Sequence, residues 1–230
     1  MLTDPADQYA TTGNLDTRRS VWGPGPEGVS PGDVLREVVV ACHPARVLEI
    51  GCGTGAFARS VLDELPDVQY VATDAADSMV AATRALGVAA QRVDAQSLPF
   101  DDDAFDVAVA AWMLYHVGDL DATLAQLRRV LRPGGTLVAV TNGDRHLAQL
   151  LGEAGGSPIR TQFSSENGAA ALRRHFDEVS RRDITTWATF ADHAMAAAYL
   201  NTFAPDLSRA LPPFEGPRRF EGFATVFTAR

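Results

Sequence analysis

Two periods of hydrophobic residues alternate along most of this chain. Short apolar runs at 46–50, 68–73 and 105–111 have the length and composition of buried strands. In 56–65 and 120–131, apolar residues recur at every third or fourth position, which is the spacing of one helical face. Strands that alternate with helices pair in parallel, with helices on both faces. The pattern therefore predicts an α/β fold, a three-layer doubly wound sheet of about seven mostly parallel strands.

Capping and stop signals place further boundaries. Ser30, Pro31 and Asp33 have the order of an N-cap, a first helical position and a first-turn acid, so a helix is predicted to begin there. Gly87 follows another helical segment as a C-terminal stop. Further strands are predicted at 88–93, 135–140, 183–190 and 222–229, and further helices at 147–156, 169–176 and 191–203.

The alternation is regular over 45–142 and looser on either side. Residues 1–44 comprise a polar arm rich in Gly and Pro, with room for one short helix, and then the helix that starts near Ser30. Residues 143–230 carry the remaining helices and the closing strands. No repeat, low-complexity tract or linker separates the three segments, so we interpret them as parts of one domain.

Composition narrows the function classes. The net charge is −9, which argues against a nucleic-acid partner. The chain contains no lysine, which excludes Schiff-base chemistry and a phosphate-binding P-loop lysine. Cys42 and Cys52 have no zinc spacing, residues 1–16 lack the apolar core of a secretory leader, and no stretch has the length of a membrane span. We expect a soluble, cytoplasmic protein with no membrane contact.

The segment VLEIGCGTGAF, at 47–57, places three glycines directly after the first regular strand. In open α/β sheets, ligands bind beyond the carboxyl ends of the strands, where glycines let a ligand approach the backbone. Gly51, Gly53 and Ala56 match the dinucleotide pattern, and Asp74 follows at the distance of a ribose-binding acid. Taken alone, that match is weak.

Glu49 distinguishes between two cofactors. A carboxylate is unfavourable beside the pyrophosphate of a dinucleotide, whereas it suits S-adenosylmethionine (SAM), whose ammonium and sulfonium are cations. The alternative interpretation is that the Glu49 carboxylate caps N–H groups of the glycine turn. Both interpretations can hold together.

Four ordered motifs extend this comparison. They are VLEIGCGTG, YVATDAADSMV, RVDAQSLPFDDDAFDVAVAAWMLYHV and LRRVLRPGGTLVAVTN. The sequence over 45–142 resembles the class I SAM-dependent methyltransferases, and within them the small-molecule group called methyltransferase type 11. The segments NLDTRR and SENGAAALRRHFDEV resemble one subgroup more weakly. The resemblance implies a Rossmann-like core at 45–142 that binds SAM, a lid at 1–44 and acceptor-binding elements at 143–230.

On the methionine side, the resemblance implies close backbone approach at the glycine turn. Glu49 would support this turn and the ammonium group. Ala111, at the end of the strand 105–111, would offer its carbonyl to the ammonium, although many relatives carry Asn near that position. The implied turn residues are Gly51, Cys52, Gly53 and Gly55.

On the adenosine side, the resemblance implies that Asp74 accepts hydrogen bonds from both ribose hydroxyls. Ala75 and Met79 would pack beside the adenine. Asp94 would accept from the adenine amino group, and the Ala95 N–H would face a ring nitrogen.

The best candidate base on the acceptor side is His116, just beyond the strand 105–111. Histidine titrates near neutral pH, so it can take a proton from the nucleophile, and the alternative is a histidine that packs on the next helix. His146, after the next strand, is a second candidate and a substrate-binding residue. Trp112 and Tyr115 are interpreted as lining the acceptor pocket, or alternatively as core.

Two charged segments have open interpretations. Arg18 and Arg19 would reach the SAM carboxylate if the arm folds over the site, and otherwise lie in solvent. The run Asp101, Asp102 and Asp103 resembles paired metal carboxylates, but acid runs in loops are usually solvated, so no metal is expected.

Together these features predict a SAM-dependent methyltransferase that modifies an O or N atom of a small molecule, in specialised metabolism, as a monomer or homodimer. The alternatives are an RNA or protein methyltransferase, an NAD-dependent oxidoreductase and a non-catalytic SAM-binding subunit.

Overall fold

A computed structural model describes residues 13–230; the start of the predicted N-terminal arm, residues 1–12, lies outside the described residues. The strands are β1 (Trp22–Pro24), β2 (Arg46–Ile50), β3 (Gln69–Asp74), β4 (Ala90–Arg92), β5 (Phe105–Ala111), β6 (Leu131–Asn142), β7 (Val179–Phe190) and β8 (Arg218–Ala229). The helices are α1 (Gly13–Arg19), α2 (Pro31–Ala41), α3 (Ala56–Glu64), α4 (Asp77–Ala85), α5 (Leu120–Val130), α6 (Ala148–Glu153), α7 (Gly168–Leu172), α8 (His193–Asn201) and α9 (Pro205–Ala210), with a 3-10 turn at Leu114–His116.

One sheet of eight strands contains all of these β elements, in the order β1-β7-β8-β6-β5-β2-β3-β4. Within the row β6-β5-β2-β3-β4, each strand pairs in parallel with its neighbours. By contrast, β8 pairs antiparallel with both β6 and β7. This confirms the predicted mostly parallel sheet. The eighth strand is β1, which the sequence pattern did not indicate, and it pairs antiparallel with the outer edge of β7.

The predicted helix boundaries have the expected capping contacts. The Ser30 side chain accepts a hydrogen bond from the Asp33 backbone N–H at 3.1 Å, so α2 begins where the sequence indicated. Asp119 caps α5 in the same way through the Ala122 N–H at 2.9 Å. Gly87 follows α4 with a φ of +76°, a conformation that favours glycine.

Two apolar clusters cover the two faces of the sheet. Along β2, Leu48 and Ile50 face the cluster that includes α5, while Val47 faces the cluster that includes α2 and α3. Glu49 lies on the same face as Val47 and is buried. A third cluster packs α6, α8 and the outer parts of β7 and β8 together. Its position leaves the carboxyl ends of the parallel strands facing an open cleft.

The N-terminal segment folds back over this cleft. Trp22 of β1 packs so closely on Gly222 of β8 that a Cβ at Gly222 would lie 2.2 Å from the indole. Arg18 of α1 donates hydrogen bonds to the hydroxyl and carbonyl oxygens of Thr202, at 2.9 and 2.8 Å. This segment, α1 and β1, is called the cover below, and it is therefore attached to the end of α8. Among residues 13–230, no helix combines the length and the apolar character needed to cross a membrane.

Candidate cofactor and acceptor site

A cleft of about 1100 Å³ lies at the carboxyl ends of β2, β3 and β5. Its walls come from the glycine turn after β2, the loops after β3, β4 and β5, and the N-terminal cover. An inner pocket of about 190 Å³ shares wall residues with the cleft and is also lined by residues of α6 and α8. The shared residues are Arg18, Tyr115, His116, Asn142, His146 and Tyr199.

The glycine turn has the backbone conformation that its sequence requires. Gly51 and Gly53 have φ values of +67° and +55°, which favour glycine. A Cβ at Gly51 would lie 2.7 Å from the Cβ of Met113, so the turn packs directly on the loop after β5. The turn therefore presents bare backbone to the cleft, as a closely approaching ligand requires.

Asp74 joins the glycine turn to the end of β3. Its two carboxylate oxygens accept hydrogen bonds from the backbone N–H groups of Gly53 and Ala76, each at 2.9 Å. Burial raises the pKa of Asp74, and the bonds from the backbone oppose that rise. The carboxylate lines the cleft with its position fixed from both sides.

Glu49 is buried, with 1% of its surface exposed, and still lines the cleft. The Tyr70 hydroxyl donates a hydrogen bond to its carboxylate at 2.9 Å. Burial raises the pKa of Glu49 to about 8, with Asp74 adding to the rise and the Tyr70 bond and Arg19 opposing it. No backbone N–H of the described glycine turn donates to this carboxylate, so the capping interpretation is wrong. Tyr70 was not identified from the sequence, because its partnership depends on pairing between β2 and β3.

Most of the predicted site residues line the cleft together. They are Glu49, Gly51, Cys52, Gly53, Asp74, Ala75, Asp94, Ala95, Ala111, Trp112, Tyr115, His116 and His146. Two predicted residues lie outside this lining. Met79, in α4, is 1% exposed, and Gly55 is buried against Thr83 at the start of α3. Their contacts with the cofactor stay predictions.

The end of the cleft beyond β4 is built from a turn that starts at Asp94. The Asp94 carboxylate accepts a hydrogen bond from the Gln96 N–H at 2.9 Å, and the Gln96 side chain accepts one from the Asp119 N–H at 2.7 Å. These bonds fix Asp94 and Ala95 at the mouth of the cleft, 20 residues along the chain from Asp74.

The opposite end of the cleft carries the aromatic residues after β5. Trp112 has a φ of +53°, an unusual value for a bulky residue, and its indole N–H donates to the Asn142 side chain at 3.0 Å. His116 lies in the 3-10 turn with its ring 4.4 Å from that of Tyr115, centroid to centroid. Burial, with a smaller contribution from Arg18, lowers the pKa of His116 to about 4. His116 is therefore neutral at pH 7.

The cover places two arginines at the cleft. Arg18 is half-buried, lines both cavities and lies 5.8 Å from the centre of the Phe203 ring. Arg19 is exposed and donates to the Thr54 hydroxyl at 3.3 Å. Residues 13–24 thus fold over the site, with Arg18 half-buried there and Arg19 exposed. Contact of either arginine with the SAM carboxylate stays a prediction.

The acid run before β5 lies away from the cleft. Arg129 of α5 forms an ion pair with Asp102 at 2.7 Å. Within the described part of the chain, no group of three or more His, Cys, Asp or Glu side chains is placed to hold a metal ion.

Comparison with known proteins identifies a family domain in the part of the chain that builds the cleft. Residues 48–139 match the family model described as "Methyltransferase domain", of methyltransferase type 11. They form a class I SAM-dependent methyltransferase domain. The cofactor of this domain is S-adenosylmethionine.

Curated relatives match the same part of the chain. The demethylmenaquinone methyltransferase of Thermus thermophilus is 36% identical over 103 residues, 42% of this chain and 47% of the relative. The malonyl-[acyl-carrier protein] O-methyltransferase of Methylococcus capsulatus is 34% identical over 112 residues, 46% of this chain and 41% of the relative. The chain thus spans less than half the length of these two relatives.

The whole fold is similar to a solved structure. The [4+2]-cyclase SpnF aligns with a TM-score of 0.66 at 20% identity, over 100% of this chain and 98% of the other. At this identity the likeness concerns the fold alone. It includes β7, β8 and the elements around them, which the family model does not cover.

The residues of the methyltransferase domain fit the cofactor on three counts. The glycine turn offers bare backbone, Asp74 offers carboxylate oxygens at the end of β3, and Glu49 places an acid beside the turn. The cleft is also large enough for a nucleoside and a second small molecule, since ligand pockets measure roughly 300–1,000 Å³.

Proposed function

We propose that this protein transfers a methyl group from SAM to an O or N atom of a small molecule. The observation that carries the proposal is the inner pocket of about 190 Å³, which opens from the cofactor cleft beside His116. An acceptor held there lies at the edge of the cofactor site. Both curated relatives described above are named as methyltransferases.

In this proposal, different parts of the cleft bind different parts of SAM. The Gly51–Gly53 backbone and Glu49 bind the methionine part, while Asp74 binds the ribose hydroxyls and Asp94 the adenine. When bound, SAM supplies a methyl group already activated by its sulfonium. The protein then has mainly to align the acceptor, and good orientation of two reactants can save roughly 7–11 kcal/mol.

His116 is proposed as the base that takes the proton of the acceptor. Its neutral imidazole is ready to accept a proton at pH 7, because burial has lowered its pKa to about 4. The same shift makes it a weak base. It therefore suits an acceptor whose own proton is acidic, such as a phenol, better than an alkyl alcohol.

The cover formed by α1 and β1 excludes water from the reacting atoms in this proposal. Leu15, Arg18 and Trp22 all line the cleft from that side. The bonds to Thr202 and the pairing with the edge of β7 hold the cover on this side of the cleft. A covered cleft with a small inner pocket favours a small molecule over RNA or a protein side chain.

The proposal is tested by ligand binding and then by turnover. A ligand that binds only the folded protein stabilises it by about 2.7 kcal/mol at 100 times its Kd. We expect SAM and its demethylated product to raise the melting temperature and NAD to leave it unchanged. A rise with NAD alone would instead support the oxidoreductase alternative. Methyl transfer from labelled SAM to a panel of phenols, carboxylic acids and amines then separates an enzyme from a non-catalytic SAM-binding subunit.

A further inference from the structure

His146 is held in the wall between the cleft and the inner pocket. One face of its imidazole lies against Trp22, with ring centroids 4.7 Å apart and planes tilted by 33°. Its Nδ1 is 3.2 Å from both the backbone N and the backbone O of Phe223 in β8. The ring is thus fixed by the cover on one side and by the sheet on the other.

The two Phe223 contacts imply different tautomers, and the strand geometry distinguishes them. The Phe223 carbonyl already accepts a hydrogen bond from the Gly143 N–H at 2.9 Å. In an antiparallel strand the N–H and C=O of one residue point to the same side, so the Phe223 N–H also points towards β6. Within the described residues, His146 Nδ1 is the acceptor found for it there. A proton on Nδ1 would leave this N–H unpaired, which is costly. Nδ1 therefore accepts, and the proton of the neutral ring lies on Nε2.

The Nε2–H of His146 is open to the cavity. In residues 13–230, every buried side-chain nitrogen or oxygen has a hydrogen-bond partner. His146 Nε2 has no hydrogen-bond partner within that range, so this atom is not buried in protein. The surfaces that the ring lines are the cleft and the inner pocket. Burial lowers the pKa of His146 to about 4, against a smaller opposing effect of the Phe223 backbone, and so keeps the ring neutral at pH 7.

The inner pocket around this donor is small, and most of its surface is apolar. Four hydrophobic side chains, Leu147, Leu151, Ile159 and Phe203, contribute to its wall. An engineered cavity of about 150 Å³ in another protein holds one benzene molecule. At about 190 Å³, the inner pocket has room for one six-membered ring with a substituent or two.

We propose that the acceptor is a single-ring compound with a ring oxygen substituent that accepts a hydrogen bond from His146 Nε2–H. This inference rests on the proposed function and extends it to a substrate class, the monocyclic phenols and related ring ketones. His146 is then a donor that orients the ring, and the base candidate is His116 alone. A neutral donor also stabilises a phenolate oxygen as the acceptor loses its proton.

The tautomer is tested directly in the wild-type protein. Nitrogen chemical shifts of ¹⁵N-histidine-labelled protein distinguish Nε2–H, Nδ1–H and charged imidazole, and the His146→Gln variant identifies the resonance. We expect the neutral Nε2–H form at pH 7. A ring protonated at Nδ1, or charged at pH 7, would overturn the inference whatever the variants do.

The ligand class is tested with phenol and toluene, which have similar shapes but differ in the oxygen. In the presence of S-adenosylhomocysteine, phenol should shift the His146 resonance and toluene should not. His146→Phe keeps a ring but removes the donor, so it should weaken phenol binding about 2- to 10-fold, the value of one neutral hydrogen bond. The matched control is His193→Gln, since His193 Nε2 contacts the Leu211 carbonyl at 3.0 Å and lines neither cavity.

SAM binding, measured by calorimetry on the same samples, tests the proposed function separately from the His146 assignment. A wild-type protein that does not bind SAM would refute the proposed function. A protein that binds SAM but binds phenol and toluene equally, with no effect of His146→Phe, would refute only the His146 assignment.

Discussion

Glu49→Gln removes a buried carboxyl whose ionisation opposes folding. The glutamine has the same shape and keeps an oxygen that can accept the hydrogen bond from Tyr70. Because burial raises the pKa of Glu49 from 4.5 to about 8, the folded protein holds this proton over a pH range in which the unfolded chain has lost it. The stability that depends on a protonated Glu49 is therefore fully present below pH 4.5 and is lost as the pH rises through about 8.

The shift sets the size of the effect. A change of one pKa unit corresponds to 1.36 kcal/mol, so the full shift from 4.5 to about 8 amounts to about 5 kcal/mol. Between pH 6 and pH 9, the destabilisation caused by ionising Glu49 grows by the equivalent of roughly two pKa units, or about 3 kcal/mol. The wild type should lose that much stability relative to Glu49→Gln over this interval.

The assay is denaturant unfolding of both proteins, free of ligand, at pH 6 and pH 9. Glu37→Gln is the matched control, because it makes the same chemical substitution at an exposed position on α2. The difference between Glu49→Gln and wild type should grow with pH, while that of the control stays constant. Equal differences at both pH values would show that Glu49 ionises as freely in the folded protein as in the unfolded chain.

Three further predictions follow from the same site. Asp74→Ala removes the acceptor of two backbone N–H groups and the proposed ribose contacts, so calorimetry should show SAM binding weakened by about 1.5–3 kcal/mol, and unchanged affinity would place the ribose elsewhere. Gly51→Ala should destabilise the protein more than Gly87→Ala, since both have positive φ but only at Gly51 does the new Cβ meet Met113, at 2.7 Å; equal melting temperatures would contradict this packing. His116→Ala should keep SAM affinity and lower turnover by roughly 10²–10⁴, and the acid limb of the wild-type pH–rate profile should lie near pH 4; a limb near pH 6.5 would contradict the burial of the ring.

The central fold was predictable because its signals are local. The runs at β2, β3 and β5 are apolar enough to require burial, and the caps at Ser30 and Gly87 act on adjacent residues. By contrast, β1 has three residues, and it is a strand only because the edge of β7 is there to pair with it. The helix α9 has six residues and no side-chain cap, so its existence also depends on packing.

The candidate site was predictable where the chain itself brings residues together. The turn after β2 and Asp74 after β3 are neighbours in any parallel pair of these strands. The contact of Tyr70 with Glu49, and that of Phe223 with His146, depend on strand register. Met79 and Gly55 lie outside the cleft lining for a related reason, because a motif indicates a segment but not which of its residues face the cleft.

The strand order constrains how the molecule is assembled during synthesis. Residues 22–24 pair with 186–188, and Arg18 bonds to Thr202, 184 positions along the chain. β8 inserts between β6 and β7, so the sheet cannot be completed until residues 218–229 have emerged from the ribosome. The parallel core can therefore form while the N-terminal cover still has no partner. For that interval the nascent chain exposes an uncovered cleft and an unpaired sheet edge, and these are the surfaces on which chaperones would act.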